Sequence, residues 1–167
     1  MSALPRPASP LRCAPMALAD LDAVLALEQT VYPFAWSRGN FVDSLAAGHV
    51  AMALWSGDGM LAAYCIALQG VDEMHLLNLT VAPALQGRGL GRGLLDRLVE
   101  QCRRERRTLL WLEVRASNQR AREVYRRYGF EEVGRRSGYY PAVGVREDAV
   151  VMRLAIAPAR EGTDALD

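Results

Sequence analysis

The chain has 167 residues and a mass of 18.4 kDa, the size of one domain rather than two, and its 51% hydrophobic and 23% charged residues are the balance of a globular chain with a sizeable core. Twenty basic against nineteen acidic residues leave a formal charge of +1, which supplies no net field to hold a polyanion. Every basic residue is an arginine, so a lysine-bearing phosphate loop, an internal aldimine with pyridoxal phosphate and a lysine nucleophile are all excluded.

The longest unbroken apolar run, residues 60–68, has nine members, whereas a membrane-spanning helix needs roughly 18 or more; no membrane partner is expected. Cys13, Cys65 and Cys102 are odd in number and far apart, which gives neither a disulfide framework nor a metal knuckle and fits a reducing cytoplasm. His49 and His75 are the only histidines and no His-Glu-x-x-His is present, so no metal is expected.

In chain order, residues 1–10 form a loose Pro-rich leader without the apolar block of a signal peptide, 11–156 the single folded domain, and 157–167 a frayed tail. A strand opens the domain. Leu21, Val24, Leu25 and Leu27 recur near helical spacing, with Asp20 placed to cap their first turn, and Ser37 can cap a second helix carrying Phe41, Val42 and Leu45. Between these helices Tyr32, Phe34 and Trp36 stand in a loop and look exposed. Residues 50–55 and 60–68 flank Ser56-Gly57-Asp58-Gly59 and read as a hairpin. A further strand over 73–81 stops ahead of Pro83.

Leu90, Leu94, Leu95, Leu98, Val99 and Cys102 make one face of a helix. Residues 109–114 are apolar on both alternating faces, as in a strand covered on both sides, with Glu113 the exception. Asn118 opens a helix whose Ala121, Val124, Tyr125 and Tyr128 form a stripe, and Gly129 stands where a left-handed C-terminal cap belongs. Strands over 130–133 and 148–156 close the chain. This order predicts an α+β (mixed α/β) domain around one sheet.

The densest chemical signal is Gln86-Gly87-Arg88-Gly89-Leu90-Gly91-Arg92, between a strand end and a helix start. Glycines there free main-chain N–H groups, and the helix terminus and arginines add positive charge, so the turn suits a phosphate or pyrophosphate; a flexible loop ahead of a well-started helix is the plainer reading. It is not the dinucleotide fingerprint, because no glycine falls at the last required position in either frame. Glu113 is either a buried carboxylate whose pKa burial raises toward general-base range, or a rim carboxylate paired with an arginine. Tyr125 reads first as a core tyrosine, Asn118 as a helix cap, and His75 as packed in its strand. The arginine-rich helix faces would suit RNA, but interleaved glutamates give them the look of solvated faces.

Leu79-Thr80-Val81, Gln86-x-x-Gly89-x-Gly91, and then Asn118 and Tyr125 beyond the next strand resemble the GNAT superfamily of acetyl-coenzyme A dependent N-acetyltransferases. More narrowly, Pro33-Phe34-Ala35-Trp36-Ser37, the run from Leu112 to Asn118, Tyr128-Gly129-Phe130, Tyr139-Tyr140-Pro141 and Glu147-Asp148-Ala149 resemble the RimI-type ribosomal-protein-alanine acetyltransferases of bacteria, with Ala35 standing where that family usually has proline. The resemblance implies a central, mostly antiparallel twisted sheet of about seven strands with helices on both faces. It implies direct acetyl transfer from acetyl-CoA, without a metal, to the N-terminal alanine of the eighteenth small-subunit ribosomal protein. Glu113 matches the proton acceptor and Tyr125 the residue that protonates the departing thiolate. Leu79, Thr80 and Val81, with Gly87, Arg88, Gly89, Leu90, Gly91, Arg92 and Asn118, match the cofactor contacts. Tyr32, Phe34, Trp36, Tyr139 and Tyr140 are the expected peptide contacts. The alternatives are a related transferase for other protein N-termini or small amines, and a non-enzymatic RNA-associated binding module.

Overall fold

The computed structural model describes residues 10–159; the expected leader over 1–10 and tail over 157–167 lie outside them, apart from Pro10 and 157–159. Among the described residues, seven strands and four α-helices follow in the expected order: β1 (Arg12–Pro15), α1 (Leu21–Val31), α2 (Arg38–Ala46), β2 (Val50–Trp55), β3 (Leu61–Gln69), β4 (Glu73–Val81), α3 (Leu90–Arg104), β5 (Leu109–Arg115), α4 (Gln119–Tyr128), β6 (Glu131–Tyr140) and β7 (Glu147–Ala155). The strands are hydrogen-bonded in the order β1-β2-β3-β4-β5-β7-β6. β4 and β5 run parallel, as the crossover through α3 requires, while β1/β2, β5/β7 and β6/β7 are antiparallel.

By internal packing the described residues divide into two compact units, one drawn from 10–66 with 78–91 and the other from 67–77 with 92–159. In the first, Leu21 and Val24 of α1, Phe41 of α2, Ala53 of β2 and Tyr64 of β3 are buried, with the Phe41 and Tyr64 rings edge to face at 5.9 Å. Burial of Leu21, Val24 and Phe41 contributes on the order of 1.5–3 kcal/mol each. Asp20 does not cap α1 as expected: its carboxylate turns back to accept the main-chain N–H of Ala17 at 2.8 Å, closing a short 3-10 turn, Leu18–Asp20, ahead of the helix. Ser37 does cap α2, its Oγ accepting from Asn40 N at 3.2 Å while Asn40 Oδ1 accepts from Ser37 N at 2.9 Å. Ser56 N donates to Met60 O at 2.8 Å and closes the hairpin turn between β2 and β3.

In the second unit, Leu94, Leu95, Leu98, Val99 and Cys102 of α3 are buried along the face that the spacing predicts. β5 corrects an expectation. Leu110, Leu112 and Val114 are buried, whereas Leu109, Trp111, Glu113 and Arg115 are only half-buried, so one face lies in the core and the other is partly open. The strand closed on both faces is β3, buried through 62–67. Apolar composition cannot separate these cases, because a half-open face is still built of Leu and Trp. Likewise the stripe on α4 is not core, since none of its residues is fully buried. Gly129 ends α4 at φ 125° as expected, its N–H bonded to Tyr125 O and Arg126 O.

Candidate active site

In the first unit, the end of β4 and the loop after α1 are tied together by a buried polar cluster. Glu28 is 1% exposed. It sits on the inward stripe of α1 with Leu21 and Val24, and its carboxylate accepts from the hydroxyl of Tyr64, from Asn78 Nδ2 at 3.1 Å and from the main-chain N–H of Trp36 at 3.1 Å. Thr80 Oγ1 donates to Asn78 Oδ1 at 2.8 Å, and the Tyr32 hydroxyl lies 3.2 Å from Leu79 O and 3.0 Å from Thr80 Oγ1. Burial raises the Tyr32 phenol above its ordinary value against the Thr80 hydrogen bond, with the Glu28 charge adding to the rise, so Tyr32 is a neutral hydroxyl. Of the three loop aromatics, Tyr32 is committed to β4 and Trp36 packs on Phe41 at 5.2 Å; Phe34 is the one that is well exposed. Glu28 is a residue that the apolar-only reading of α1 passes over, although its spacing of seven from Leu21 and four from Val24 is a visible signal.

The glycine turn belongs to the same unit. Gly87 and Gly89 have φ of 78° and 80°, and a Cβ at either would meet nothing within 4 Å. Their conformation demands glycine while the space beside them stays open, which is what close approach of a ligand to the backbone requires. Gly91, in the first turn of α3, has Leu79 Cδ2 at 3.5 Å and Val81 Cγ2 at 3.7 Å from the position of its missing Cβ, so β4 and the helix start are closely packed.

In the second unit, Glu113 of β5 is flanked on both oxygens. His75 Nε2 of β4 is hydrogen-bonded to Oε2, and Arg136 Nη2 of β6 lies 3.3 Å from Oε1. The Glu113 side chain keeps 8% of its exposure. Burial pushes its pKa up, but the His75 hydrogen bond and the charges of His75 and Arg136 outweigh burial, and the carboxyl titrates below its ordinary value. The expectation that burial raises this pKa is therefore overturned. Reading His75 as merely packed is corrected too, since strand pairing brings it to a partner 38 residues away. Tyr125 packs edge to face on Phe130 at 5.5 Å, half-buried rather than in the core. Asn118 Oδ1 accepts from Ala121 N at 3.2 Å and caps α4. Tyr139 and Tyr140 stack edge on at 4.9 Å, the former under Arg136 and the latter under Arg115, which also pairs with Glu147 at 3.1 Å. Burial, with Tyr139 and Glu113 close by, keeps the Tyr140 phenol protonated well above its ordinary range.

Residues 21–130, from the first turn of α1 to the residue after Gly129, match the model of the acetyltransferase (GNAT) family, and the chain belongs to that family. It is accordingly an N-acetyltransferase by class. Its similarity extends to a narrower group: it is 39% identical over 137 residues to the [ribosomal protein bS18]-alanine N-acetyltransferase of Escherichia coli (strain K12), covering 82% of this chain and 92% of that one. The crystal structure of the ribosomal-protein-S18-alanine N-acetyltransferase from Escherichia coli superposes with a TM-score of 0.81 at 36% identity, over 91% of this chain and 97% of that one. The fold is also that of Arabidopsis thaliana Naa50 in complex with the bisubstrate analogue CoA-Ac-MVNAL, at a TM-score of 0.76 and 19% identity, over 86% of this chain and 97% of that one.

Proposed function

We propose that the chain transfers acetyl from acetyl-CoA to the N-terminal alanine of ribosomal protein bS18, a reaction that belongs to the cytoplasm. The substrate part of this reading is supported by the 39% identity to the Escherichia coli enzyme. The chemical part is carried by one observation, an ionised carboxylate at Glu113 shut in between His75 and Arg136. A protein N-terminal amine has a pKa of roughly 7.7–8.0 and is mostly protonated at neutral pH, so a base must remove a proton before the nitrogen can attack. Glu113 is that proton acceptor, directly or through an intermediary. Tyr125 supplies the proton that the leaving thiolate takes up.

Acetyl-CoA supplies an acyl group activated as a thioester. The main-chain N–H groups of Gly87, Arg88, Gly89, Leu90, Gly91 and Arg92 suit its pyrophosphate, a fit supported by the two positive-φ glycines with open space beside them. Leu79, Thr80 and Val81 would meet the pantetheine arm, and Asn118 would add a contact. Phe34, Tyr139 and Tyr140, with Tyr32 and Trp36 as the ordered frame of the loop, are the candidate peptide contacts. Glu132 pairs with Arg122 and Arg126, and Glu123 with Arg127, which weighs against an RNA-binding role for α4.

A thiol-release assay with peptides beginning in alanine tests the reading. Acetyl-CoA turnover on the bS18 N-terminal peptide, and weak turnover on peptides with other first residues or on small amines, is expected. Equal turnover on all would leave a broader amine acetyltransferase. Steep salt dependence of RNA binding with no thioester cleavage would overturn the enzyme reading altogether. Glu113→Gln should lower turnover about 10²–10⁴-fold with acetyl-CoA affinity retained; collapse of that affinity would remove the assignment of the base.

A further inference from the structure

We propose that Glu113 draws the proton off the amine through His75, so that the two side chains act as one base and the proton comes to rest on Nδ1 of His75. This rests on the reading of Glu113 as the residue on which deprotonation depends, and it assigns the intermediary. The pair exists because β4 and β5 are parallel and in register: His75 is the Cα partner of Trp111, and Glu113 lies two residues further along β5 on the same face. The imidazole Nε2 meets Oε2 of Glu113, and Arg136 stands against Oε1.

Exposure separates the roles. The Glu113 side chain retains 8% of its accessibility and that of His75 retains 28%, so the imidazole is the member that reaches water and an incoming amine. A carboxylate held ionised by two such neighbours binds a proton weakly, whereas an imidazole ordinarily titrates near 6.5, much closer to an amine. When the ring is neutral and donates Nε2–H to the carboxylate, its lone pair is on Nδ1. In the step itself, one N–H bond of the substrate ammonium breaks and an Nδ1–H bond forms. The freed electron pair stays on the substrate nitrogen, and the resulting imidazolium is held by the Glu113 anion until water removes its proton.

Other charged and titratable groups act on the pair from each neighbouring strand. Arg136 of β6 opposes the imidazolium. Tyr140 of β6 is neutral and feels the Glu113 charge. Arg115 of β5 is engaged with Glu147 of β7, and Arg153 of β7 lies over the Trp111 ring at 5.5 Å. Glu73, two residues before His75 on β4, is exposed. Glu113 is the only one of these in hydrogen-bond contact with the imidazole among the described residues.

Four measurements on the full chain decide the matter. His75→Gln keeps a hydrogen-bonding side chain but cannot carry the proton, and should lower kcat about 10²–10⁴-fold, as Glu113→Gln does, with KM for acetyl-CoA and peptide little changed. Added imidazole should restore turnover to His75→Ala. The Glu113→Gln/His75→Gln double variant should be no slower than Glu113→Gln alone, as for residues acting as a unit. With only two histidines in the chain, nitrogen NMR can follow His75 directly, and the Nε2–H tautomer that Glu113 holds in the wild type should give way to a mixture of tautomers in Glu113→Gln. Full turnover in His75→Gln with the wild-type pH profile, additive losses in the double variant, no rescue by imidazole, or a His75 tautomer unchanged in Glu113→Gln would each overturn the proposal and leave Glu113 acting without His75. Full turnover in Glu113→Gln would instead sink the base reading itself.

Discussion

The main-chain N–H of Trp36 donates to the carboxylate of Glu28 at 3.1 Å, and the same carboxylate holds Asn78 of β4 at 3.1 Å. One buried acceptor therefore fixes the loop after α1 to the strand that carries Leu79, Thr80 and Val81. Glu28→Gln replaces one acceptor oxygen with a donor, leaving at least one of three donors facing another donor. A loss of about 1–3 kcal/mol in unfolding free energy is expected, read as a lower urea midpoint at unchanged slope. The loop should also loosen, raising KM for peptide more than KM for acetyl-CoA. An unaltered midpoint would mean that the cluster contributes nothing net to stability.

The glycine turn makes a separate prediction. Gly87→Ala and Gly89→Ala introduce no clash, since nothing lies within 4 Å of either new Cβ, but both place an L-residue at φ near 80°. Each should cost about 1–2 kcal/mol through backbone strain alone. Calorimetry should show weaker acetyl-CoA binding, because relief of that strain moves the N–H groups from their positions. Tight binding by the double variant would exclude the turn as the phosphate cradle.

Tyr125→Phe separates packing from chemistry. The ring contact with Phe130 at 5.5 Å survives the change, so the melting temperature should shift by only a few degrees while kcat falls about 10–10²-fold. Wild-type kcat in this variant would remove Tyr125 as the proton donor.

Acid should weaken the fold through Glu113 with a definite sign. Its folded pKa lies below the ordinary carboxyl value of 4.5, so the unfolded chain takes up the proton first. The stability it contributes is present above that value and is lost as pH falls through it toward the lower folded pKa. Glu132 and Glu147 are depressed as well and act with the same sign. Urea midpoints measured downward from about pH 6 should therefore decline less steeply for Glu113→Gln than for the wild type. Parallel declines would show that Glu113 is not held ionised by its neighbours.

Local pattern alone settled much of this protein. Period-two and period-3.6 alternation, Ser37 and Asn118 as caps, and Gly129 as a terminator produced the right elements in the right order, because caps and periodicities act within a few residues of chain. The turn at 86–92 was legible for the same reason: its glycines, Gly87 and Gly89, take the positive φ that glycine adopts most readily. Glu113 stood out as a charge in an apolar strand. What the sequence left open was who its neighbours are. Whether burial or partners win at Glu113 depends on His75 and Arg136, which lie 38 residues before it on β4 and 23 residues after it on β6. Only the parallel register of β4 on β5 and the placement of β6 beyond β7 bring those charges within reach. The exposure of β5 and α4 was equally a tertiary matter, since an apolar face is compatible with a closed core and with a half-open surface until the elements packed against it are known.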